Sequence, residues 1–437
     1  MSENPDRSLR TLLRRLKMDL GPLRDSRDFR LLFGSGAVTM FGAFLTLVAV
    51  PLQMKELTGG SYVAVGLVSA AEFVPMVVCG LWGGAIADAL DRRKIILSTE
   101  AGLCVTVVIL MVNATLPSPQ IWVLYVVGAL SAGLGSLQRP SLESLMPRVV
   151  RHDQLAAAAA LTGFRWNLGA IVAPGLSGLI VVWFGFAAAY GVNVVTFLVS
   201  LALLWLVKAP PRAEDAPPAS MRALVEGVRY AMSRPDLMGT YLVDVAAMVF
   251  AFSTALYPFL ADELGVPEAQ GLFFSAAAIG SLIASVTSGW TGHIHRHGLG
   301  VIVAAIVWGA AVAVAAVMPT VWGVFACLAL AGAADMISGV FRSTIWNQTI
   351  PDEFRGRLAG IELLSYTSGP MLGNARAGLM AQLGGARFSL GAGGLLCLGA
   401  VVAMAGRLPG FRDYDARTDE HAVKEHARRE ALGDNEA

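Results

Sequence analysis

Residues 29 to 408 divide into twelve apolar stretches of about 18 to 27 residues, and no other feature restricts the fold so tightly. Each is long enough to cross roughly 30 Å of hydrocarbon as a helix. In lipid every backbone amide and carbonyl must find its partner inside the protein, which leaves only helices and closed barrels. A barrel is excluded, because its strands are short and alternate in polarity at every second residue. With 55% of 437 residues hydrophobic and 15% charged, the chain also lies far from a soluble domain, where about a quarter of residues are charged. Spans are expected at 29–54, 61–86, 95–116, 121–146, 156–183, 186–207, 238–261, 269–292, 299–318, 321–346, 360–383 and 388–407.

Basic residues fall on one side of these spans. Arg7, Arg10, Arg14, Arg15, Lys17, Arg24 and Arg27 precede the first. Alternate loops then carry Arg92, Arg93 and Lys94; Arg148 and Arg151; Lys208, Arg212, Arg222, Arg229 and Arg234; Arg296; and Arg355 with Arg357. The intervening loops offer little beyond Lys55 and Arg387. The positive-inside rule therefore expects both termini in the cytoplasm and an even number of spans, in a plasma or inner membrane. Residues 1–28 lack an apolar core and cleavage site, so the first span, rather than a cleaved signal, is expected to direct insertion. Cys79, Cys104, Cys327 and Cys397 all fall inside apolar stretches without ligand or disulfide spacing and are expected to pack. A net charge of +1 suggests no nucleic acid partner.

The longest loop, 208–237, is proline-rich and then amphipathic, and it divides the spans six and six. The expected organisation is a cytoplasmic segment at 1–28, halves at 29–207 and 238–408, a linker at 208–237 and a disordered tail at 409–437. An internal repeat crosses the linker. Pro51–Leu57 matches Pro258–Leu264 at an offset of 207, Gly84 matches Gly289 at 205, and Pro147, Arg151 and Gly169 match Pro351, Arg355 and Gly373 at 204. Parallel duplication of a six-helix unit accounts for so constant an offset, and repeat interfaces are where transporters hold substrate.

The loop after the second span reads GAIADALDRR, from Gly84 to Arg93. It resembles motif A of the major facilitator superfamily, with Gly84, Asp88, Arg92 and Arg93 in place and Asp91 where a second glycine is common. Gly84 permits close helix approach, and Asp88 and the arginines are suited to a conformational latch between halves. In the fifth span GAIVAPGLSG resembles the antiporter motif C, with Gly169, Pro174 and Gly178 in place and Ala173 and Ser177 for two glycines. FVPM, ALYPFLAD and TIPDEFRGR add similarity to the enterobactin-exporter and drug-efflux branch. The resemblance implies the twelve-helix major facilitator fold in two six-helix pseudo-repeats and proton-driven efflux of a drug, antibiotic or siderophore by alternating access. It implies no cofactor, no metal and a monomer. Import of a metabolite and a non-transporting sensor are the alternatives. An enzyme is not expected, since no nucleophile elbow, P-loop or ligand cluster occurs; the triplet His293, His295 and His297 reads as a solvated loop.

Charges inside spans are the candidate working residues, because a charge at mid-membrane costs about 2.5–3.5 kcal/mol on insertion scales. Asp335, Asp244 and Glu72 are the proton-coupling candidates, ranked in that order by depth for the first two. Arg139 and Glu143 stand four apart and are expected to pair, with Arg342 in the same cytoplasmic gate. Arg165 and Arg376 are expected to hold an acid ionised, and Arg376 is the arginine Asp335 would neutralise if it were a static partner instead of the proton carrier.

Overall fold

The computed structural model describes residues 19–89, 91–208 and 221–433. The side chains of 81–89 and of several positions within 221–228, 352–364 and 430–433 lie outside the described residues. Among the described residues there is no strand, and ten helical elements are long and apolar enough to cross a bilayer. The first four are α1 (Arg27–Leu57), α2 (Tyr62–Ala89), α3 (Arg92–Thr115) and α4 (Ile121–Val149). Asp91, the departure from motif A, caps α3 by accepting from Arg93 N at 2.9 Å, a role glycine has no side chain to fill.

Leu155–Leu206 runs 52 residues but breaks at Gly185, where φ is 78° and ψ 175°. Its arms are α5 (155–184) and α6 (186–206). Asp352–Arg407 repeats the device, breaking at Gly384 and at Gly385, with φ 85° and ψ 175°, into α13 (352–383) and α14 (386–407). Only glycine takes this backbone without strain, so the chain reverses with no loop. Between these lie α7 (Met221–Met232), α8 (Pro235–Ala251), α9 (Tyr257–Glu263), α10 (Ala269–Thr287), α11 (His297–Ala315) and α12 (Val321–Thr349). α8 and α9 form one span across a 3₁₀ turn, Thr254–Leu256. The ten elements thus accommodate the twelve expected crossings. Large apolar side chains such as Val286, Val317 and Leu383 are 80%, 72% and 82% exposed, the outward face that lipid requires.

The halves meet through α2 against α13 and α5 against α10. Close approaches across these seams stand at the end remote from the termini. A Cβ on Gly66 would stand 2.8 Å from the Asn374 carbonyl and 2.9 Å from Gly378 Cα, while one on Gly271 would collide with the Pro174 carbonyl. Gly66 and Gly271 are 205 apart and Pro174 and Gly378 are 204 apart, so the two seams are related by the repeat. Lys55 and Asp262, 207 apart, form an ion pair with one another. Lys55 also donates to the Pro258 carbonyl at 2.9 Å, and Tyr62 packs on Phe259 with ring centroids 4.3 Å apart.

The tail departs from the expected disorder. Phe411 and Tyr414 are 0% and 2% exposed, seated where a side chain on Gly239 or Gly298 would collide with Phe411. The chain beyond forms α15 (Glu420–Gly433). Buried Glu425 is held there by Arg429 at 3.2 Å, and Arg429 donates to the Asn347 carbonyl at 2.9 Å. Its high charge density suggested disorder, but two aromatic anchors outweigh it. In the connecting turn, hydrogen bonds from Arg417 hold the Asp415 carboxyl well below the usual carboxylate range.

Candidate functional site

Two helices of the second half bring their charges to one place, beside a hydroxyl of a third. Asp244 of α8 forms an ion pair with Arg342 of α12, and its other oxygen accepts from Ser365 Oγ of α13 at 3.0 Å. Asp335, two turns before Arg342 on the same face of α12, lies 3.6 Å from the guanidinium. The two acids differ in setting. The Asp244 side chain is 5% exposed, whereas that of Asp335 is 38% exposed. Both line a small cleft with Ala304, Trp308 and Ser338. Trp308 Nε1 is buried and has no hydrogen-bond partner among the described residues. One arginine therefore serves two carboxylates, one locked and one loosely held.

The first half has a counterpart that sequence reasoning missed. Glu100, the ninth residue of α3, is 2% exposed. It accepts from Thr39 Oγ1 of α1 at 2.8 Å, from Gln138 Nε2 of α4 at 2.7 Å and from Ser200 Oγ of α6. Ser35 and Ser200 hydroxyls are 2.7 Å apart, extending the network. Gln138 and Arg342 stand 204 apart, the repeat offset, as do Glu100 and Ala304 of the opposite cleft. The same place in each half is thus polar: neutral donors around a carboxylate in one, a guanidinium between carboxylates in the other. The available signal was depth, since Asp244 is only the tenth residue of α8.

Several expected pairings are replaced. Arg342 was expected in a gate with Arg139 and Glu143, but it lies within the second half on Asp244 and Asp335. Arg376, the partner of Asp335 in the static alternative, donates instead to the carbonyls of Val249 at 3.2 Å and Ser389 at 3.3 Å. Arg165 likewise donates to the Phe33 carbonyl at 3.0 Å and covers that ring, with no carboxylate on it. Backbone carbonyls of neighbouring helices take most of the place of an acid here, although Arg165 Nε and Arg376 Nη2 stay buried with no hydrogen-bond partner among the described residues. Glu72 packs against Gly128 of α4 and forms no ion pair with a described residue. Arg139 Nε donates to Glu143 at 2.8 Å, and the same guanidinium crosses to the second half, bonding Tyr366 of α13 and lying 5.3 Å from its ring centroid.

Of motif A, Gly84 and Asp88 stand on the last turns of α2 with side chains outside the described residues. Arg93 donates to the Trp205 carbonyl at 2.6 Å, tying α3 to the end of α6; Arg92 is also engaged. The motif-C stretch lies on both seams of α5. Gly169 leaves room for Met40 of α1, Ser177 donates to the Leu45 carbonyl at 2.9 Å, and Pro174 and Gly178 face Gly271 of α10. Ser275 of α10 returns a bond to the Ile171 carbonyl at 2.6 Å. The histidines do not converge: His297 is buried between Phe341 and Tyr414, with ring centroids 5.8 Å and 6.1 Å away.

A family model described as transmembrane secretion effector matches residues 18–433. The enterobactin exporter of Salmonella typhimurium strain LT2 is 30% identical over 417 residues, covering 92% of this chain and 98% of that protein. That of Citrobacter koseri is 30% identical over 370 residues, covering 83% and 87%. Among solved structures, a bacterial homologue of the iron transporter ferroportin in an inward-facing state superposes with a TM-score of 0.69 at 16% identity, over 88% of this chain and 98% of that one. A POT family transporter bound to 5-aminolevulinic acid superposes with a TM-score of 0.71 at 13% identity, over 88% and 97%. At these identities the likeness is one of fold.

Proposed function

Since this chain belongs to the transmembrane secretion effector family of the major facilitator superfamily, we propose that it exports a siderophore-like amphipathic molecule from the cytoplasm in exchange for protons. The observation that carries the coupling half of this reading is the charge node. Asp335 is a half-exposed carboxylate loosely held by an arginine that a second, buried carboxylate also engages. Protonating Asp335 removes one of the two carboxylates in contact with Arg342, with Glu362 of α13 acting on it at longer range, and so changes the balance among α8, α12 and α13, the helices that must shift for the second half to rock. The siderophore class rests on the relatives, enterobactin exporters aligned along nearly their whole length.

The one-sided basic loops support both termini in the cytoplasm. Closure of the halves at the remote end then makes this an inward-facing arrangement, ready to load from the cytoplasm. The protein works as a monomer in this reading, with Lys55 and Asp262 and the two glycine seams as the outer closure. Motif A is the inner latch. Asp88→Asn, with the size of the acid kept, is expected to reduce export several-fold while leaving membrane insertion intact; wild-type flux at normal expression would remove the latch from the mechanism.

Enterobactin accumulation in inverted membrane vesicles tests the reading. Accumulation is expected on energisation and should collapse with a protonophore. Accumulation that survives loss of the proton gradient without sodium dependence would falsify the coupling, and absence of any enterobactin flux would remove the siderophore assignment.

A further inference from the structure

On the lipid-facing side of the second half, a groove of about 600 Å³ lies along α11 and α12. Leu299, Val303 and Val307 of α11 face Leu330, Ala334 and Ile337 of α12 across it. Leu299, Val303 and Leu330 are 40%, 50% and 52% exposed, so the groove opens outward to the bilayer. From Arg296 at its rim to Val307 in its depth, the helix rises about 16 Å at 1.5 Å per residue. That is roughly half of a 30 Å hydrocarbon core, the depth of one leaflet.

The rim differs from the walls in being cationic and aromatic. It carries His295, Arg296, Trp290 and, from the tail, Arg417. The Ala416 amide donates to the His295 carbonyl at 3.0 Å, which fixes the tail against the rim. Two carboxylates are near, and both are engaged: Asp415 by Arg417 at 2.8 Å and Asp413 by Arg412 at 2.9 Å. The Arg296 guanidinium feels Asp413 at longer range and forms no hydrogen bond or ion pair with a described residue. The unbalanced charge at the rim is therefore that of Arg296. Trp290 is 49% exposed beside it, an aromatic at headgroup depth.

We propose that this groove is a binding site for one anionic diacyl phospholipid, with an acyl chain along α11 and α12 and its phosphate at Arg296 and the outer edge of Arg417. An apolar slot one leaflet deep selects a chain, and the free guanidinium at its mouth selects net negative charge. A zwitterionic lipid would bring its own cation to Arg296 and lose that advantage. Because Arg417 belongs to the tail, the lipid would also hold the tail on the helices it covers. The site is independent of substrate and of transport direction.

The test uses the purified full chain in neutral detergent, with dimyristoyl phosphatidylglycerol and dimyristoyl phosphatidylcholine as probes and native mass spectrometry and thermal stability as readouts. Phosphatidylglycerol should be retained as one saturable copy and raise Tm, with phosphatidylcholine several-fold weaker. Arg296→Gln should weaken phosphatidylglycerol about fivefold, equivalent to about 1 kcal/mol for one basic residue at an anionic surface. Arg296→Lys should keep the preference, which guards against a variant that merely folds poorly. Ala334→Phe, which fills the groove, should lower retention of both lipids. Equal retention of the two lipids, an unchanged preference in Arg296→Gln, or full competition by inorganic phosphate would each overturn the proposal.

Discussion

Arg342→Leu is expected to destabilise the protein by about 3–5 kcal/mol, the cost of leaving a buried charge without its partner. Asp244 is the reason. Its side chain is 5% exposed, and without Arg342 it keeps only the Ser365 hydroxyl, far too little to replace a guanidinium. The variant should show a lowered Tm and aggregated material on gel filtration in detergent. Adding Asp244→Leu should recover most of the loss, because an absent pair costs less than half of one. Arg376→Leu is the contrasting case. It removes hydrogen bonds to carbonyls without stranding an acid, so its cost should be nearer 1–3 kcal/mol and no acid-to-neutral change should rescue it. A stable Arg342→Leu single variant would mean that Asp244 is not held as an anion in this pair.

Asp335→Asn should abolish uphill export while leaving the fold intact. Asparagine keeps the size and the hydrogen bonds of the acid but cannot take up a proton. Asp335 lies 3.6 Å from Arg342 with a side chain 38% exposed, so its neutralisation strands little. Proton-driven accumulation in inverted vesicles should fall to the level of passive exchange, with downhill counterflow retained. Asp244→Asn should behave the other way round, losing stability before coupling. Full uphill transport by Asp335→Asn would move the coupling role to Glu72 or Asp244. The order of loss, coupling first or stability first, separates a proton carrier from a structural partner without knowledge of the substrate's exact chemistry.

How far these residues could be reached from sequence depended on how local their physics is. The spans were legible because apolar length is a property of consecutive residues, and even the loopless junctions at Gly185 and Gly385 fell between expected spans. Arg139 and Glu143 were legible because four residues on a helix determine their separation. Partners on different helices were not. That Arg342 reaches Asp244, and that Arg376 and Arg165 settle on carbonyls, follows from helix rotation and packing that periodicity leaves free. Glu100 escaped because its neutral donors come from α1, α4 and α6, none of which signals its role alone. The tail misled because its charges dominate its composition, while Phe411 and Tyr414, the two residues that seat it, are few. Lys55 and Asp262 were aligned by the repeat, but their mutual contact needed the pseudo-dyad.

Each connection at the end remote from the termini is short: 58–61, 116–120, 264–268 and 316–320, with glycine breaks at 185 and 384–385 in place of the remaining two. In the orientation proposed above, with both termini in the cytoplasm, the outer side carries only these short connections. A binder raised against intact cells needs about 800 Å² of its target for a standard interface, and six tight turns offer it no protruding loop to grip. External proteases meet the same shortage of extended chain. The linker helix α7 and the seated tail lie at the opposite end, so in that orientation partners and affinity reagents that need extended polar chain would meet this protein from within.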